Sequence, residues 1–358
     1  MRHIETNGYT IEIGSLLESS LHQLLRENYS TSKKIILVDE NTHKYCLSHL
    51  ITNFEELNDA EVIQIPAGEH SKQMTLAVNI WEAFTEYGIS RHDLIINLGG
   101  GVVSDLGGFV ASCFKRGLNF INIPTSLLSM VDASIGGKTG INLGHYKNQI
   151  GVFSNPIGLF IDPVFLDTLP EDEIINGYAE MLKHGVISSV ELYNRVQNSI
   201  EDGGLDHELL QSVIEVKNDI IKEDPLEKGK RKILNFGHTV GHVIEGCLIE
   251  GESISHGHAV GIGMVMEAYL SKKIIGLSSE KYEILESFLL DLYPIPKLSD
   301  EDIKEMITLL NNDKKNKEGS ILCCLISKIG ECTFDNKVSP EDFLETFLHF
   351  KNKQVSLN

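Results

Sequence analysis

The sequence predicts an α/β fold in two parts: an N-terminal Rossmann-like domain on a parallel sheet over residues 1–160, then a mostly α-helical domain over residues 161–358. Three observations lead there. Short apolar runs alternate with helical patterns through the first 160 residues. Extended runs fade after about Asp162, where long helical patterns take over. A glycine triplet, Gly99 to Gly101, stands where a strand-like run gives way to a helical one. A chain of 358 residues also exceeds the roughly 150 expected of one domain, so two domains sharing a cleft are expected.

In order, KKIILVD, DLIINLGG and FINIP are short apolar runs suited to parallel strands. LAVNIWEAFTEYG and VSDLGGFVASCFKRG suit the crossover helices between them. The helical half reads EIINGYAEMLKHGVISS, HELLQSVIEVKNDIIKED, ILNFGHTVGHVIEGC, HAVGIGMVMEAYLSKKIIG, EKYEILESFLLDLY and DEDIKEMITLLNNDKK, several opened by Ser or Asp at a capping position. Near the end only SILCCLISKIG looks extended, and no repeat or low-complexity stretch interrupts the chain.

Composition narrows the function. Lys plus Arg number 31 against 51 Asp plus Glu, a net charge of −20, which repels nucleic acid and anionic membranes alike. No apolar run on the order of 18 residues occurs and the first residues lack a secretory pattern, so a cytoplasmic protein is expected. The six cysteines form no CxxC pair, and buried free thiols are expected.

Gly99, Gly100 and Gly101 follow LIINL and open a helical run, the setting in which backbone N–H groups and the helix dipole meet a pyrophosphate. The standard dinucleotide fingerprint needs a third Gly where Ser104 stands, so a plain tight turn stays open as a reading. Asp39 and Asn41 in ILVDENT lie at a strand's C-terminal end, where acids take ribose hydroxyls. Glu69 and Lys72 fall in the polar IPAGEHSK loop.

Lys138 and Thr139 in GGKTG imitate a P-loop, but Asp132 occupies the place of its first glycine, which excludes an ATPase reading. A Gly-flanked lysine with Lys147 and Asn148 nearby still suits an anionic, hydroxylated ligand; solvated surface lysines are the alternative. His238 and His242 are four residues apart and share a helix face, but Thr239 replaces the Glu of a metalloprotease helix. His256 and His258 precede another helix, and Glu180 and Lys183 share a face in GYAEMLKHG. Two His and one carboxylate make a zinc set that leaves a position open to substrate; core or surface histidines are the alternative.

The motifs GGGVVSDLGGF, IPTSLLSMVDASIGGKTG, KNQIG, GYAEMLKHG, KILNFGHTVGHVIE and HGHAVGIGM, in this order from about Asp39 to Lys315, resemble 3-dehydroquinate synthase, a family of the sugar phosphate cyclases. The resemblance implies an N-terminal NAD domain, a helical metal- and substrate-binding domain and a homodimer. It implies metal ligands Glu180, His238 and His256 for Zn2+ or Co2+, with His242 near the reacting centre. Lys138, Lys147, Asn148, Lys183, Lys217, Arg231, Asn235, His242 and Lys315 match positions that hold a phosphorylated sugar acid. Of these, Lys138, Lys183, Lys217, Arg231, Asn235 and His242 match catalytic positions. Arg116 in FKRG resembles an arginine that reaches the phosphate across the dimer. The NAD contacts would be Asp39, Asn41, Glu69, Lys72, Gly100, Gly101, Val102, Asp105, Thr125, Ser126, Asp132, Lys138 and Lys147, with Phe165 and Thr168 from the FLDT segment.

By the same resemblance the substrate is 3-deoxy-D-arabino-heptulosonate 7-phosphate, closed into a carbocycle through transient oxidation by NAD, phosphate elimination, re-reduction and an intramolecular aldol step. Three departures stand out. Ser126 replaces the second threonine of PTT, His258 stands where HGE is common, and NLGHYKN replaces the usual PLGKN, which admits a related cyclase with another sugar phosphate. A metal-dependent polyol dehydrogenase shares the layout, but Lys138, Lys147, Lys183 and Arg231 are too many anion partners for a neutral polyol. A catalytically dead NAD-binding protein would lack a ligand or base, and here all are present.

Overall fold

The computed structural model of the protein describes residues 1–144, 146–248, 254–311 and 320–355. Lys315 therefore lies outside the described residues. In chain order the described strands are β1 (Arg2–Glu5), β2 (Thr10–Ile13), β3 (Lys34–Asp39), β4 (Glu61–Ile65), β5 (Leu94–Gly99), β6 (Asn119–Pro124), β7 (Lys138–Leu143), β8 (Tyr146–Phe153), β9 (Gly158–Ile161), β10 (Ile321–Lys328) and β11 (Glu331–Val338). The longer helices are α1 (Glu40–Tyr45), α2 (Leu47–Asn53), α3 (Met74–Glu86), α4 (Gly101–Cys113), α5 (Glu171–Ser188), α6 (Val190–Asp202), α7 (His207–Glu223), α8 (His238–Cys247), α9 (His256–Ile274), α10 (Ser279–Leu292), α11 (Asp300–Asn311) and α12 (Pro340–Val355).

The chain divides into two compact units: Met1–Gly177 with Asp206–Lys222, and Tyr178–Leu205 with Glu223–Asn358. The first holds a seven-stranded sheet in the order β1-β2-β9-β6-β5-β3-β4, parallel except for β1 against β2. β5 is buried at every position because its sheet is covered by helices. Ile35, Leu37 and Ile95 pack in one core with Ala77, Ile80 and Phe84 of α3 and Val103, Leu106 and Val110 of α4. β4 lies on one side of β3 and the chain returns to β5 on the other, so the strand order reverses between β3 and β5. Ligands of open α/β sheets bind beyond the strand ends at such a reversal.

In the second unit α8 and α9 pack at backbone contact. A Cβ on Gly263 would lie 1.9 Å from the Gly237 carbonyl oxygen, and one on Gly241 would lie 3.0 Å from that of Ala259. The β10–β11 hairpin docks on α9 through Ile326 N–H, which donates to Ser271 Oγ at 3.0 Å.

The α/β expectation holds, with local differences. ILNFGHTVGHVIEGC is not one helix: Lys230–Asn235 is a 3-10 turn, and Gly237, at φ +80°, breaks the chain before α8. After Pro124 the chain runs into a π turn, Ser129–Ala133. The Gly-flanked Lys138 begins β7, and ECTFDNKV pairs with the predicted extended run as β11. Four cysteines are buried, but Cys113 is exposed and Cys332 half-buried. No described helix is long and apolar enough to cross a membrane.

Candidate active site

The first unit assembles its candidate groups at the strand reversal. β5 ends at Gly99, Gly100 caps α4, and Gly101 is its first residue. Thirteen residues of helix place unpaired N–H groups and a positive dipole end beside the β3 terminus. Neither Gly100 nor Gly101 has a positive φ; room is what they supply. A Cβ would lie 3.2 Å from Ser126 Oγ at Gly100 and 3.2 Å from Ala133 Cβ at Gly101. Val102 follows half-buried in α4. Asp39 ends β3 and caps α1, its carboxylate accepting from Thr42 N–H at 2.8 Å; Asn41 is exposed on α1. Thr125 N–H donates to the Gly99 carbonyl at 3.1 Å. Phe165 is buried with its ring 5.5 Å from that of His49, and Thr168 sits exposed three residues on.

A second cluster surrounds Lys72, which is buried yet donates to Asp105 Oδ2 at 2.8 Å and Asn148 Oδ1 at 2.6 Å, with Glu69 3.6 Å away. Burial alone would depress its pKa, but the Asp105 and Glu69 carboxylates outweigh that and hold it above the ordinary lysine range. Residues read separately as cofactor contacts (Glu69, Lys72, Asp105) and as substrate contacts (Asn148) are thus one network. Lys217, on α7, donates to Asp132 Oδ1 at 2.8 Å and to the Asp132 carbonyl at 2.6 Å. Lys138 is exposed at the start of β7, Lys147 half-buried on β8, and Arg116 exposed in a turn at φ +68°.

The second unit carries the histidines. His238 opens α8, His242 follows one turn later and His256 opens α9; their ring nitrogens lie within 4.8 Å of one another. Glu180 of α5, almost wholly buried, brings Oε1 to 3.3 Å from His238 Nε2 and 3.8 Å from His256 Nε2. Lys183, one turn on and equally buried, pairs with Glu180 Oε2. Burial, helped by the Lys183 and His256 charges, pushes His238 below the ordinary histidine pKa although Glu180 opposes this, which favours the neutral imidazole that metal ligation needs. Nitrogen and carboxylate donors gathered from three helices around the buried Glu180 fit zinc or cobalt chemistry. His258 does not join them: its Nε2 lies 2.8 Å from the Pro294 carbonyl and its ring 5.9 Å from that of Tyr293.

Residues 224–235 form a tight loop of charged groups. Asp224 accepts from the N–H groups of Lys228, Gly229 and Arg231, and Arg231, buried, donates through Nη1 to the Pro225 carbonyl at 2.7 Å. Asn235 Nδ2 donates to Glu227 Oε1 at 2.7 Å.

Three residues escaped sequence reasoning. Glu245 Oε2 lies 3.5 Å from His256 Nδ1, where an outer partner orients a ligating imidazole. Glu267, buried in α9, accepts from Gly237 N–H at 2.7 Å and Val240 N–H at 3.1 Å, fixing the start of α8 and hence His238. Burial raises the Glu267 carboxyl to about 7. The sequence signal for both was a lone Glu in an apolar helical run. Asn142 bridges Glu69 and Asn148.

A parallel-sheet unit with a glycine-opened helix, and a helical unit with a His–carboxylate cluster, define a class of fold that solved structures share. The fold matches 2-epi-5-epi-valiolone synthase from Streptomyces hygroscopicus subsp. jinggangensis, solved with NAD+ and Zn2+ bound (TM-score 0.84, 24% identity, 99% of each chain). It also matches 2-deoxy-scyllo-inosose synthase complexed with carbaglucose-6-phosphate, NAD+ and Co2+ (TM-score 0.83, 22% identity, 96% of this chain and 98% of that one). Within that class the chain belongs to the 3-dehydroquinate synthase family. Residues 62–176 match the description "3-dehydroquinate synthase N-terminal" and residues 177–316 "3-dehydroquinate synthase C-terminal". The chain is 40% identical over 335 residues to the 3-dehydroquinate synthase of Parabacteroides distasonis, covering 92% of this chain and 94% of that one. It is 35% identical over 357 residues to that of Alkaliphilus metalliredigens, covering 97% of each.

Proposed function

We propose that this protein converts 3-deoxy-D-arabino-heptulosonate 7-phosphate to 3-dehydroquinate and phosphate, with NAD and Zn2+ or Co2+ as resident cofactors. One observation carries the metal part of this reading: Glu180, His238 and His256, from three separate helices, meet beside Lys183, with Glu180 and Lys183 buried and the two histidines half-buried. When bound, the metal supplies a Lewis acid and NAD a hydride acceptor that later returns the hydride.

The chain's own groups take these parts. Residues 1–160 form the NAD domain, where Gly100, Gly101 and Val102 offer the pyrophosphate a helix N-terminus. Asp39, Asn41, Glu69, Lys72 and Asp105 supply ribose and amide partners, and Thr125, Ser126, Asp132, Lys138, Lys147, Phe165 and Thr168 complete the pocket. Residues 161–358 hold the metal on Glu180, His238 and His256. Lys183, beside Glu180, holds a substrate oxyanion in place. Arg231, kept extended by the Pro225 carbonyl, and Asn235 hold the phosphate end with Lys315. Lys138, Lys147, Asn148 and Lys217 take the carboxylate and hydroxyls. His242, exposed beside His238 with ring centroids 5.2 Å apart, relays a proton at its imidazole. The reading includes a cytoplasmic homodimer in which Arg116 reaches the other subunit's phosphate site; free thiols accord with a reducing compartment.

The test follows phosphate release from this substrate with NAD and zinc while NADH absorbance is monitored, then repeats it after chelation. Chelator-sensitive phosphate release without lasting NADH is expected. NADH accumulating without phosphate would point instead to a dehydrogenase, and silence to another sugar phosphate.

A further inference from the structure

We propose that Asn142 is a positioning residue that ties the cofactor-side loop at Glu69–Lys72 to the substrate-side strand at Lys147–Asn148, so that the two sites are set by one side chain. The inference rests on the roles read above for Glu69, Lys72 and Asn148, and goes beyond them by giving a role to a residue that carries none.

The β7–β8 hairpin is regular from Lys138↔Phe153 to Ile141↔Ile150, and then its register shifts: the next pair is Leu143↔Tyr146. Residues 147 to 149 on β8 therefore face Asn142 alone. Such a bulge breaks the ladder and re-aims side chains. At its centre Asn148 adopts φ +51°, left-handed backbone that Asn tolerates better than most residues but that still needs support from its surroundings.

Asn142 supplies that support with three bonds, each to a different part of the network. Its Oδ1 accepts from Asn148 N–H at 2.8 Å, its Nδ2 donates to Glu69 Oε1 at 2.9 Å, and its backbone N–H donates to the Lys72 carbonyl at 2.8 Å. Lys72 Nζ closes the ring by donating to Asn148 Oδ1 at 2.6 Å. The amide is used at both ends: its acceptor fixes the substrate side and its donor the cofactor side. A carboxylate in its place would keep the first and oppose the second, because Glu69 accepts.

That asymmetry makes the proposal testable on the full-length protein, with NAD binding followed by titration calorimetry and turnover of 3-deoxy-D-arabino-heptulosonate 7-phosphate at saturating NAD. Asn142→Asp, nearly isosteric, is expected to raise the NAD Kd about tenfold, the loss that one charge-assisted hydrogen bond predicts, while substrate KM stays within about threefold. Asn142→Ala is expected to raise both constants, and its effect on substrate KM should vanish in an Asn148→Ala background. Equal changes of both constants in the two variants, or no change in either, overturn the proposal; melting temperatures separate these from simple unfolding. A wild-type protein that binds no NAD would overturn the cofactor reading itself, an outcome distinct from wild-type binding with unaffected variants.

Discussion

In the first unit the groups proposed to meet the pyrophosphate and ribose at the strand reversal are backbone and strand-end positions: Gly100 and Gly101 stand at a helix N-terminus, and Asp39 ends its strand and caps the helix that follows. In the second unit the donors are side chains on three helices, the carboxylate buried and the histidines half-buried, and their convergence depends on how closely α8 and α9 approach across Gly263 and Gly241. Topology places the first set, because any parallel sheet with this strand order opens a crevice at β3 and β5. Packing places the second, so small changes of volume should cost it more.

The largest expected effect is at the donors. Glu180→Ala should release metal by more than the roughly 10–100-fold that loss of an outer partner costs, and abolish turnover. Metal content after dialysis against chelator decides it; full retention would mean that His238, His242 and His256 bind metal without the carboxylate. His256→Ala should behave alike.

Next comes the packing beneath the donors. Gly263→Ala sets a methyl 1.9 Å from a carbonyl oxygen, and the overpacking should cost about 1–3 kcal/mol or more, read as a lower melting temperature together with weaker metal retention. A stable variant with unaltered metal binding would break the contrast between the units.

Glu267 gives a comparable effect in pH. Its carboxyl is raised from 4.5 to about 7 by burial, so between those values the unfolded chain is ionised while the folded one keeps its proton. Folded stability should therefore fall as pH rises from about 4.5 to 7, by up to about 3 kcal/mol at about 1.36 kcal/mol per pH unit, and level off above. Glu267→Gln should flatten that slope; chemical unfolding at several pH values checks it, and an unchanged slope assigns it elsewhere.

Gly100→Ala, in the first unit, should weaken NAD about tenfold with little loss of stability, since its Cβ meets the Ser126 side chain, Oγ at 3.2 Å and Cβ at 3.8 Å. A large fall in melting temperature would show that backbone placement there is as packing-dependent as in the second unit. The smallest effect is at His258: bonded to the Pro294 carbonyl, it should go to Ala with metal retained and stability changed by about 1 kcal/mol or less. Metal loss in this variant would add His258 to the ligand set.

Much of this was readable in advance. β3, β5, β6, α3 and α4 followed from apolar period and the glycine triplet because each is a local pattern. The break at Gly237 was missed because ILNFGHTVGHVIEG keeps helical periodicity, while Gly237 takes its left-handed φ with Met264 and Val260 of α9 packed against it. The β7–β8 pair was missed because its short, Gly-containing strands pair with each other rather than with the main sheet.

The sequence by itself determined the α/β class, the order of motifs and which side chains carry metal-ligand or anion-binding chemistry, since these depend on residue type and spacing along the chain. Only the tertiary structure decided that Glu180 lies against His238 and His256, that His258 faces Pro294, that Glu245 and Glu267 stand behind the histidines and that Asn142 joins Glu69 to Asn148. Each of those contacts joins residues on different elements, and their distances are set by how closely helices and strands pack, a quantity that no local pattern encodes.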